Sequence, residues 1–410
     1  MGIYSTSRIH GLGSIRCLEA MRFLFGFSYY ESLGKDVKSW VDARLARLRK
    51  AGINVDSFVL TLDPPAHQLY WPELDSRWQK GDKKLLAMYE NLGRTLESYD
   101  VFINWNGINI HPEFVRQLPT FNVFGCFDDP EASELLSMPV AWSYDLAMVG
   151  NIAELERYKS WGVRNVRHWP LGFFADDYDP SLTREKILNG VREVDIALLC
   201  ERETNYRKER LGKFIEAFPH GAYYGRGWPK GYLPDDERVR LYQKTKIGPN
   251  FHNSSGPVNF RTFILPANGV MQVCDNKSDL GKLFELGKEV VGFDTVDEAI
   301  EMCRYYLEHD EERRQIAAAG WECAVKNFNE VATFRLVEKY VEELLPTKGI
   351  VPCQSVQLYL RRHRRKALLR RILDAFKTLL RRVAVIALQR FSGAVRKVKS
   401  SLGFSTREET

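Results

Sequence analysis

Short apolar runs and helical patterns alternate from Lys246 to Phe293, and this alternation constrains the fold more than any other feature of the chain. The apolar runs Ile247–Phe251, Val270–Cys274 and Glu289–Phe293 each predict a strand, and the segments between them predict helices. Strands and helices that alternate in this way are typical of parallel sheets with crossover helices. Ligands of such sheets bind beyond the carboxyl ends of the strands, so the loops of this stretch are candidate binding loops.

The polar loop His252–Pro257 follows the first of these strands and leads into a helical pattern. A helix that starts there offers free backbone N–H groups and the positive end of its dipole. Arg261 adds a fixed cation, which suits phosphate oxygens. We therefore predict that Asn259, Arg261 and Thr262 bind a phosphate group.

The length of 410 residues predicts more than one domain, because single hydrophobic cores stop growing well below that size. The seven cysteines are scattered without a Cys-x-x-Cys spacing, which favours reduced thiols, a cytoplasmic location and no zinc site. Neither a signal peptide nor an apolar run of membrane-spanning length is evident. The predicted organisation is an N-terminal extension 1–20, a first domain 21–172, a linker 173–190, a second domain 191–350 and a tail 351–410.

The first domain offers candidate binding loops after two of its predicted strands. The strand Arg22–Phe27 leads to Gly34 at a loop–helix junction, and a later strand ends at Asn106 and Gly107. Gly34 fits either a helix-opening turn or a close approach to a ligand. The glycine spacing differs from the dinucleotide fingerprint, which argues against a nicotinamide cofactor.

Titratable residues mark two further positions in the first domain. Asp128 and Asp129 follow a predicted strand, where a carboxylate can act as a general base or hold sugar hydroxyls. The same two acids suit helix capping before Pro130. His111 begins a predicted helix, so it is a candidate catalytic residue or a structural one.

The second domain places basic and glycine residues at strand ends. Arg207 and Arg210 lie in the first turns of a predicted helix, where cations oppose the helix dipole unless an anion binds there. They are candidates for binding donor phosphates, or they form a solvated basic face. Gly225 and Gly227 would let the backbone pass close to a flat base, with Trp228 beside it.

Taken in order, the chain resembles the two-domain GT-B glycosyltransferases, and more narrowly the CgeB-like (spore-maturation type) family. The likeness covers about residues 20–345, and it is strongest after about residue 190. The motifs that carry it are Tyr224–Trp228 (YGRGW), Tyr242–His252 (YQKTKIGPNFH), Asn259–Phe263 (NFRTF), Leu283–Val291 (LFELGKEVV), Tyr305–Leu307 (YYL), Glu311–Arg314 (EERR), Ala319-Gly320, and less specifically Asn106-Gly107 and Phe127–Pro130 (FDDP).

The resemblance implies two Rossmann-like parallel-sheet domains that face a cleft. It implies a hexosyltransferase-type enzyme that uses a nucleotide-diphospho-sugar, bound mainly by the second domain, without a tightly bound cofactor or metal. The expected acceptor is a glycan or a lipid-linked glycan, as in polysaccharide biosynthesis. Either an acceptor base or the donor's own phosphate oxygens would take up the acceptor proton.

One departure from the family pattern concerns the nucleotide ribose. Many enzymes of this fold carry a glutamate five residues before the Ala-x-Gly glycine, where this chain has Ile264, and retaining members carry a second one at the position of Gly256. Asn259 or Glu285 would then hold the ribose, the donor would be atypical, or activity would be lost. A catalytically inactive sugar-binding or scaffold protein and a nucleotide-sugar epimerase of the same fold are therefore alternatives.

The tail is strongly basic, whereas the rest of the chain is mildly acidic. Residues Arg361 to Lys399 contain 14 lysines and arginines and one acid, Asp374, for a local charge of about +13. The whole chain carries +6 and residues 401–410 carry −1, so residues 1–350 carry about −6. The tail's apolar residues recur at helical spacing, at Leu368, Ile372, Phe376, Leu379, Val383, Ile386 and Phe391.

A helix with this pattern suits an anionic membrane surface, so we predict peripheral binding through residues 355–402 at the inner face of the plasma membrane. Packing against the body or against a partner helix is the alternative. Nucleic-acid binding is disfavoured because the tail lacks interleaved aromatics and the body is acidic.

Overall fold

A computed structural model describes residues 21–28, 37–62, 69–107, 109–202, 204, 207–348 and 355–401. Within these residues the chain forms two parallel β-sheets with helices on their faces, followed by one long helix. The prediction of two parallel-sheet α/β domains is confirmed. Gly34 and the extension 1–20 lie outside the described residues.

The first sheet has the order β2-β1-β3-β4-β5-β6, and all of its strands run parallel. Its inner strands β1 and β4 are buried on both faces, as a sheet covered by helices on two sides requires. Parallel strands end at one edge, which brings the loops after β1, β3 and β4 together. The strands are β1 Arg22–Phe27, β2 Asn54–Val59, β3 Val101–Trp105, β4 Phe121–Cys126, β5 Leu146–Val149 and β6 Val166–His168.

Helices cover both faces of this sheet. Val41, Leu45 and Leu48 of α1 pack on one face, as their helical spacing predicts. Trp78 of α2 and Tyr89 of α3 pack in the core on the other face. The helices of the first domain are α1 Val37–Lys50, α2 Trp71–Lys80, α3 Lys83–Thr95, α4 Pro112–Val115 and α5 Leu155–Ser160.

The second sheet has the order β11-β10-β9-β7-β8, again with parallel strands. Its strands are β7 Val194–Leu199, β8 Ala222–Tyr224, β9 Thr245–Asn250, β10 Met271–Cys274 and β11 Val291–Gly292. Its helices are α6 Arg184–Asn189, α7 Lys208–Ala217, α8 Asp235–Lys244, α9 Arg261–Ala267, α10 Lys277–Leu280, α11 Val296–Glu308 and α12 Asp310–Asn327.

The connections between the domains differ from the predicted boundaries. Helix α6 lies within the predicted linker 173–190, yet Ile187 packs in the core of the second domain. Helix α13, Glu330–Leu344, falls within the predicted second domain 191–350, but it packs on the first sheet, with the ring centroids of Phe334 and Phe23 5.4 Å apart. Helical spacing shows that a face is buried, but it does not show which sheet buries it.

Helix α14, Val356–Ser401, begins on the first domain and then leaves it. Val356, Leu360 and Ala367 are buried, and the His363 ring stacks on Trp78 with ring centroids 3.6 Å apart. From residue 368 the described side chains are exposed. In the described part of the chain, no helix is both long and apolar enough to cross a membrane.

Candidate active site

A cleft of about 1450 Å³ lies between the two domains. Loops at the carboxyl ends of the strands line it from both sides, as expected for parallel sheets. The first domain contributes Asn106 after β3 and Asp128 after β4. The second domain contributes Glu201 after β7, Gly225 after β8 and, beyond β9, a set of residues from His252 to Ile264.

A buried histidine fixes the loop that follows β9. The His252 ring donates through Nδ1 to Asp275 Oδ1 at 2.6 Å and accepts through Nε2 from the Thr262 hydroxyl at 3.1 Å. The backbone N–H of His252 also donates to Asp275 Oδ2, at 2.9 Å. Burial lowers the pKa of His252, which favours the neutral ring that this arrangement needs. Thr262 is fully buried in this network and does not line the cleft.

The start of α9 is less open than the sequence predicts. The backbone N–H of Thr262 donates to Asn259 Oδ1 at 3.1 Å, and the N–H of Phe263 donates to Phe260 O at 3.0 Å. Asn259 is itself held by Asn250, to which its side-chain amide donates at 2.9 Å. The backbone N–H groups of Thr262 and Phe263 are therefore already hydrogen-bonded and are not free for a phosphate.

Arg261 supplies such a side chain, because it lines the cleft and is held only by neutral oxygens among the described residues. Its guanidinium donates to Asn250 Oδ1 at 3.1 Å, to Leu199 O at 3.0 Å and to Phe251 O at 3.2 Å. These bonds fix its direction without neutralising its charge. The guanidinium therefore keeps its attraction for an anion in the cleft.

Arg207 lies beside Arg261 and is held in the same way. Its guanidinium donates to Phe251 O at 2.9 Å and to Glu201 O at 3.1 Å, and the residue is only 5% exposed. Burial and the neighbouring charge of Arg261 lower the pKa of Arg207 to about 10, so it stays protonated at neutral pH. Two adjacent cations, neither of them bonded to a described carboxylate, form a candidate anion site in the cleft.

The other predicted donor-binding residues divide between the cleft and the domain interior. Gly225 lines the cleft, and a Cβ there would meet Cys200 O at 2.2 Å. Trp228 lies in the core instead. Its ring stacks on that of Tyr223 with the centroids 4.9 Å apart, and its indole N–H donates to Cys200 O at 2.7 Å. Gly227 lies outside the cleft lining.

Arg210 and Glu285 also lie outside the lining of the cleft. Arg210 pairs with Asp275, with 3.4 Å between Nη1 and Oδ2. Glu285 pairs with Lys288 on the surface, with 2.7 Å between their charged atoms. Each of these side chains thus has an oppositely charged partner outside the lining of the cleft.

In the first domain, Asp128 faces the cleft and Asp129 does not. Asp128 Oδ2 accepts from the Asn106 amide at 2.7 Å. Desolvation, together with the charges of Asp129 and Glu131, raises the pKa of Asp128. Asp129 is 1% exposed, and its Oδ2 accepts from the Tyr158 hydroxyl at 2.5 Å. Of these two carboxylates, that of Asp128 is therefore the one that lines the cleft.

His111 and Gly107 support the fold of the first domain rather than the cleft. His111 caps α4 by accepting from the Glu113 N–H at 3.2 Å, donates to Asp75 at 3.3 Å and is 2% exposed. Gly107 has φ of 60°, and a Cβ there would lie 2.2 Å from the Phe124 ring. Both ring nitrogens of His111 therefore have partners inside the first domain, and the side chain does not line the cleft.

Of the two positions where related enzymes carry a glutamate, Ile264 lines the cleft and Gly256 does not. Ile264 lines the cleft, so no carboxylate is available there. A Cβ at Gly256, where φ is 90°, would lie 1.8 Å from Asn151 Oδ1, and the Asn151 amide donates to Ser255 O at 2.6 Å. This position is therefore occupied by a contact between the domains. The carboxylates that the second domain does present are Glu201 and Asp235.

Arg44 of α1 lines the cleft from the first domain, although its place in the sequence suggests an ordinary basic helix position. Its guanidinium carbon lies 4.2 Å from the Phe174 ring centroid and 5.2 Å from that of Trp105. The available signal is its spacing, since residue 44 falls on the inward face with Val41, Leu45 and Leu48.

One group of buried side chains has the donor atoms for a metal ion. His252, Cys274 and Asp275 place one such atom each within 4.8 Å of one another, and among the described residues no other group does so. Both His252 nitrogens are already hydrogen-bonded, and burial raises the pKa of the Cys274 thiol well above its ordinary value. The group fits a hydrogen-bonded support for the loop better than a metal site.

Two parallel-sheet domains with a cleft between the carboxyl ends of their strands define the GT-B fold of glycosyltransferases. Residues 202–334 match the glycosyl transferase-like family model. A search of curated proteins found no match.

Solved structures show the same fold over most of this chain. A sucrose-phosphate synthase from Thermosynechococcus elongatus is similar with a TM-score of 0.58 and 12% identity, over 80% of this chain and 100% of that one. Anabaena HepE in complex with UDP is similar with a TM-score of 0.51 and 13% identity, over 79% of this chain and 100% of that one. AviGT4, a glycosyltransferase of avilamycin A biosynthesis, is similar with a TM-score of 0.50 and 16% identity, over 80% of this chain and 99% of that one. The likeness supports the fold assignment, and the narrower CgeB-like resemblance remains a prediction.

Proposed function

We propose that this chain is a metal-independent glycosyltransferase that moves a sugar from a nucleotide-diphospho-sugar to an acceptor bound against the first domain. The observation that carries the proposal is the pair Arg207 and Arg261. Both guanidinium groups lie at the cleft, and both are oriented by neutral oxygens rather than by described carboxylates. The match of residues 202–334 to the glycosyl transferase-like model covers both arginines.

In the proposed reaction the bond between the anomeric carbon and the diphosphate oxygen breaks. The electron pair of that bond leaves with the nucleoside diphosphate, whose negative charge increases in the transition state. Fixed cations stabilise developing charge without having to reorganise, and removing one fixed donor of this kind typically costs about 10²–10³ in rate. Arg261 and Arg207 are the groups that we assign to this role.

Asp128 is our candidate for the acceptor base. As the acceptor oxygen bonds to the anomeric carbon, its proton would pass to the Asp128 carboxylate. This direct displacement of the diphosphate would invert the configuration at that carbon. The raised pKa of Asp128 brings the group closer to neutral pH, where a general base is most effective. Asn106 holds the carboxylate in place through its amide.

The exposed part of α14 supports the proposal of binding at a membrane surface, with a glycan or lipid-linked acceptor. Apolar side chains between 50% and 60% exposed recur at Leu369, Ile372, Phe376 and Val383, and basic side chains lie between them. Such a helix gains free energy when its apolar face enters lipid and its cations face anionic headgroups.

Release of free nucleotide from a panel of nucleotide-diphospho-sugars tests the transferase. We expect one donor to be turned over by the wild type and Arg261→Ala to be slower by about 10²–10³. Arg210→Ala is the matched control, since it removes a nearby cation that pairs with Asp275 outside the cleft. Equal turnover by the wild type and Arg261→Ala would remove Arg261 from the mechanism, and no turnover of any donor would favour an inactive binding protein.

Liposome sedimentation tests the tail. The truncated protein should end at Arg371, because residues 356–367 pack on the first domain and Arg370 donates to Gln79. We expect the full chain to sediment with anionic vesicles and not with neutral ones, and the truncated protein to stay in solution. Equal sedimentation of both proteins would contradict membrane binding by α14.

A further inference from the structure

Arg44 is a buried cation that forms no ion pair within the part of the chain that the structure describes. The residue is 6% exposed, and its guanidinium makes neither a hydrogen bond nor an ion pair with the described residues. Its contacts are the ring faces of Trp105 and Phe174. A buried charge that lacks a partner is costly, so such a position calls for an explanation.

The two carboxylates whose charges act on Arg44 already pair with other arginines. Glu330 accepts from Arg47, with one of the two bonds 3.1 Å long, and Asp177 accepts from Arg238 at 2.6 Å. Neither reaches Arg44 at ion-pair distance. Because the side chain lines the cleft, a ligand in the cleft can supply the missing negative charge.

Apart from Arg44, the α1 side chains that line the cleft are apolar. Trp40, Val41, Leu45 and Trp105 line it from the first domain, and Trp40 is 37% exposed. Aromatic and aliphatic walls gain free energy by covering apolar groups rather than sugars alone. An anion that binds Arg44 would therefore be attached to an apolar group that covers this wall.

We propose that Arg44 binds the anionic group of an amphipathic acceptor, whose apolar portion packs against the first-domain wall of the cleft. The shared chemistry is a phosphate or carboxylate joined to an alkyl chain or ring. This inference rests on the proposed transferase function only in identifying the bound ligand as the acceptor. The binding site itself stands on Arg44 and the wall around it.

Binding of decyl phosphate below its micelle concentration tests the site, with decyl glucoside and inorganic phosphate as the uncharged and tail-less probes. We expect the full-length wild type to bind decyl phosphate about tenfold or more tightly than either probe. Arg44→Met should lose this preference, and Arg44→Lys should keep part of it. Lys50→Met removes an exposed cation from the same helix and should behave as wild type. Helix α14 is the same in every variant, so only a difference between variants reports on the cleft.

Each result of this titration bears on the proposal. Equal binding of decyl phosphate by the wild type and a folded Arg44→Met protein would overturn the anion site. Equal binding of inorganic phosphate would overturn the apolar portion, and equal binding of decyl glucoside would overturn the charge requirement. UDP is titrated in parallel: failure of the wild type to bind UDP contradicts the donor site, whereas unchanged UDP affinity in Arg44→Met separates the two sites.

Discussion

The two walls of the cleft have opposite chemistry. The second-domain wall presents Arg207 and Arg261, both oriented by carbonyl and amide oxygens. The first-domain wall presents aromatic and aliphatic side chains around Asp128 and Arg44. One wall thus suits a highly charged leaving group, and the other suits an acceptor that must lose a proton. We infer that the domains divide donor binding and acceptor activation between them.

The largest effect that separates the two walls is expected for Asp128→Asn. Loss of the proposed base should lower kcat by about 10²–10⁴, while the affinity for UDP should stay unchanged because we assign the nucleotide to the opposite wall. The measurement is steady-state kinetics together with UDP calorimetry. A parallel loss of UDP affinity would break the division between the walls.

The pH profile gives the same comparison a second test. Asp128 acts as a base only when ionised, and its pKa is raised. An ordinary aspartate has a pKa of about 3.9. The wild-type rate should therefore begin to fall on the acid side at a higher pH than such a group would cause. In Asp128→Asn the residual rate should lack this acid limb. An identical limb in both proteins would assign it to another group.

A smaller effect is expected at the neighbouring carboxylate. Asp129→Ala leaves the buried Tyr158 hydroxyl without its acceptor, which should lower the free energy of unfolding by about 1–3 kcal/mol. Urea unfolding measures this loss, and kcat of the folded protein should stay well above that of Asp128→Asn. If instead Asp129→Ala is as inactive as Asp128→Asn and as stable as the wild type, Asp129 is the base.

The smallest effect is expected at Trp228. This side chain packs on Tyr223 in the second-domain core, so Trp228→Phe should change the affinity for UDP by less than about twofold. Calorimetry of the variant and the wild type makes the comparison. A tenfold loss of affinity in a protein of unchanged stability would return Trp228 to the nucleotide site.

The sequence predicts local features of the fold well, and tertiary partners poorly. β1 occupies Arg22–Phe27 as predicted, because a continuous apolar run is a strong local signal. No pattern assigns residues 63–84, where α2 forms around the buried Trp78. The position of α13 depends on which domain its apolar face meets, and one sequence does not contain that choice.

The candidate site shows the same limit. Arg261 and Asp128 follow strands, so their position at the cleft follows from topology. Arg210 and Arg207 look alike in sequence, but Asp275 engages one and backbone carbonyls hold the other. His111 lies inside the first domain whereas Arg44 lines the cleft, because burial and partners, not residue type, decide which side chain reaches it.

A crystal structure with UDP bound tests the central claim most directly. The account predicts density for the diphosphate within hydrogen-bond distance of the guanidinium groups of Arg261 and Arg207, on the second-domain wall. Diphosphate density against the first-domain wall, with Arg261 still bonded only to Asn250, Leu199 and Phe251, would contradict it.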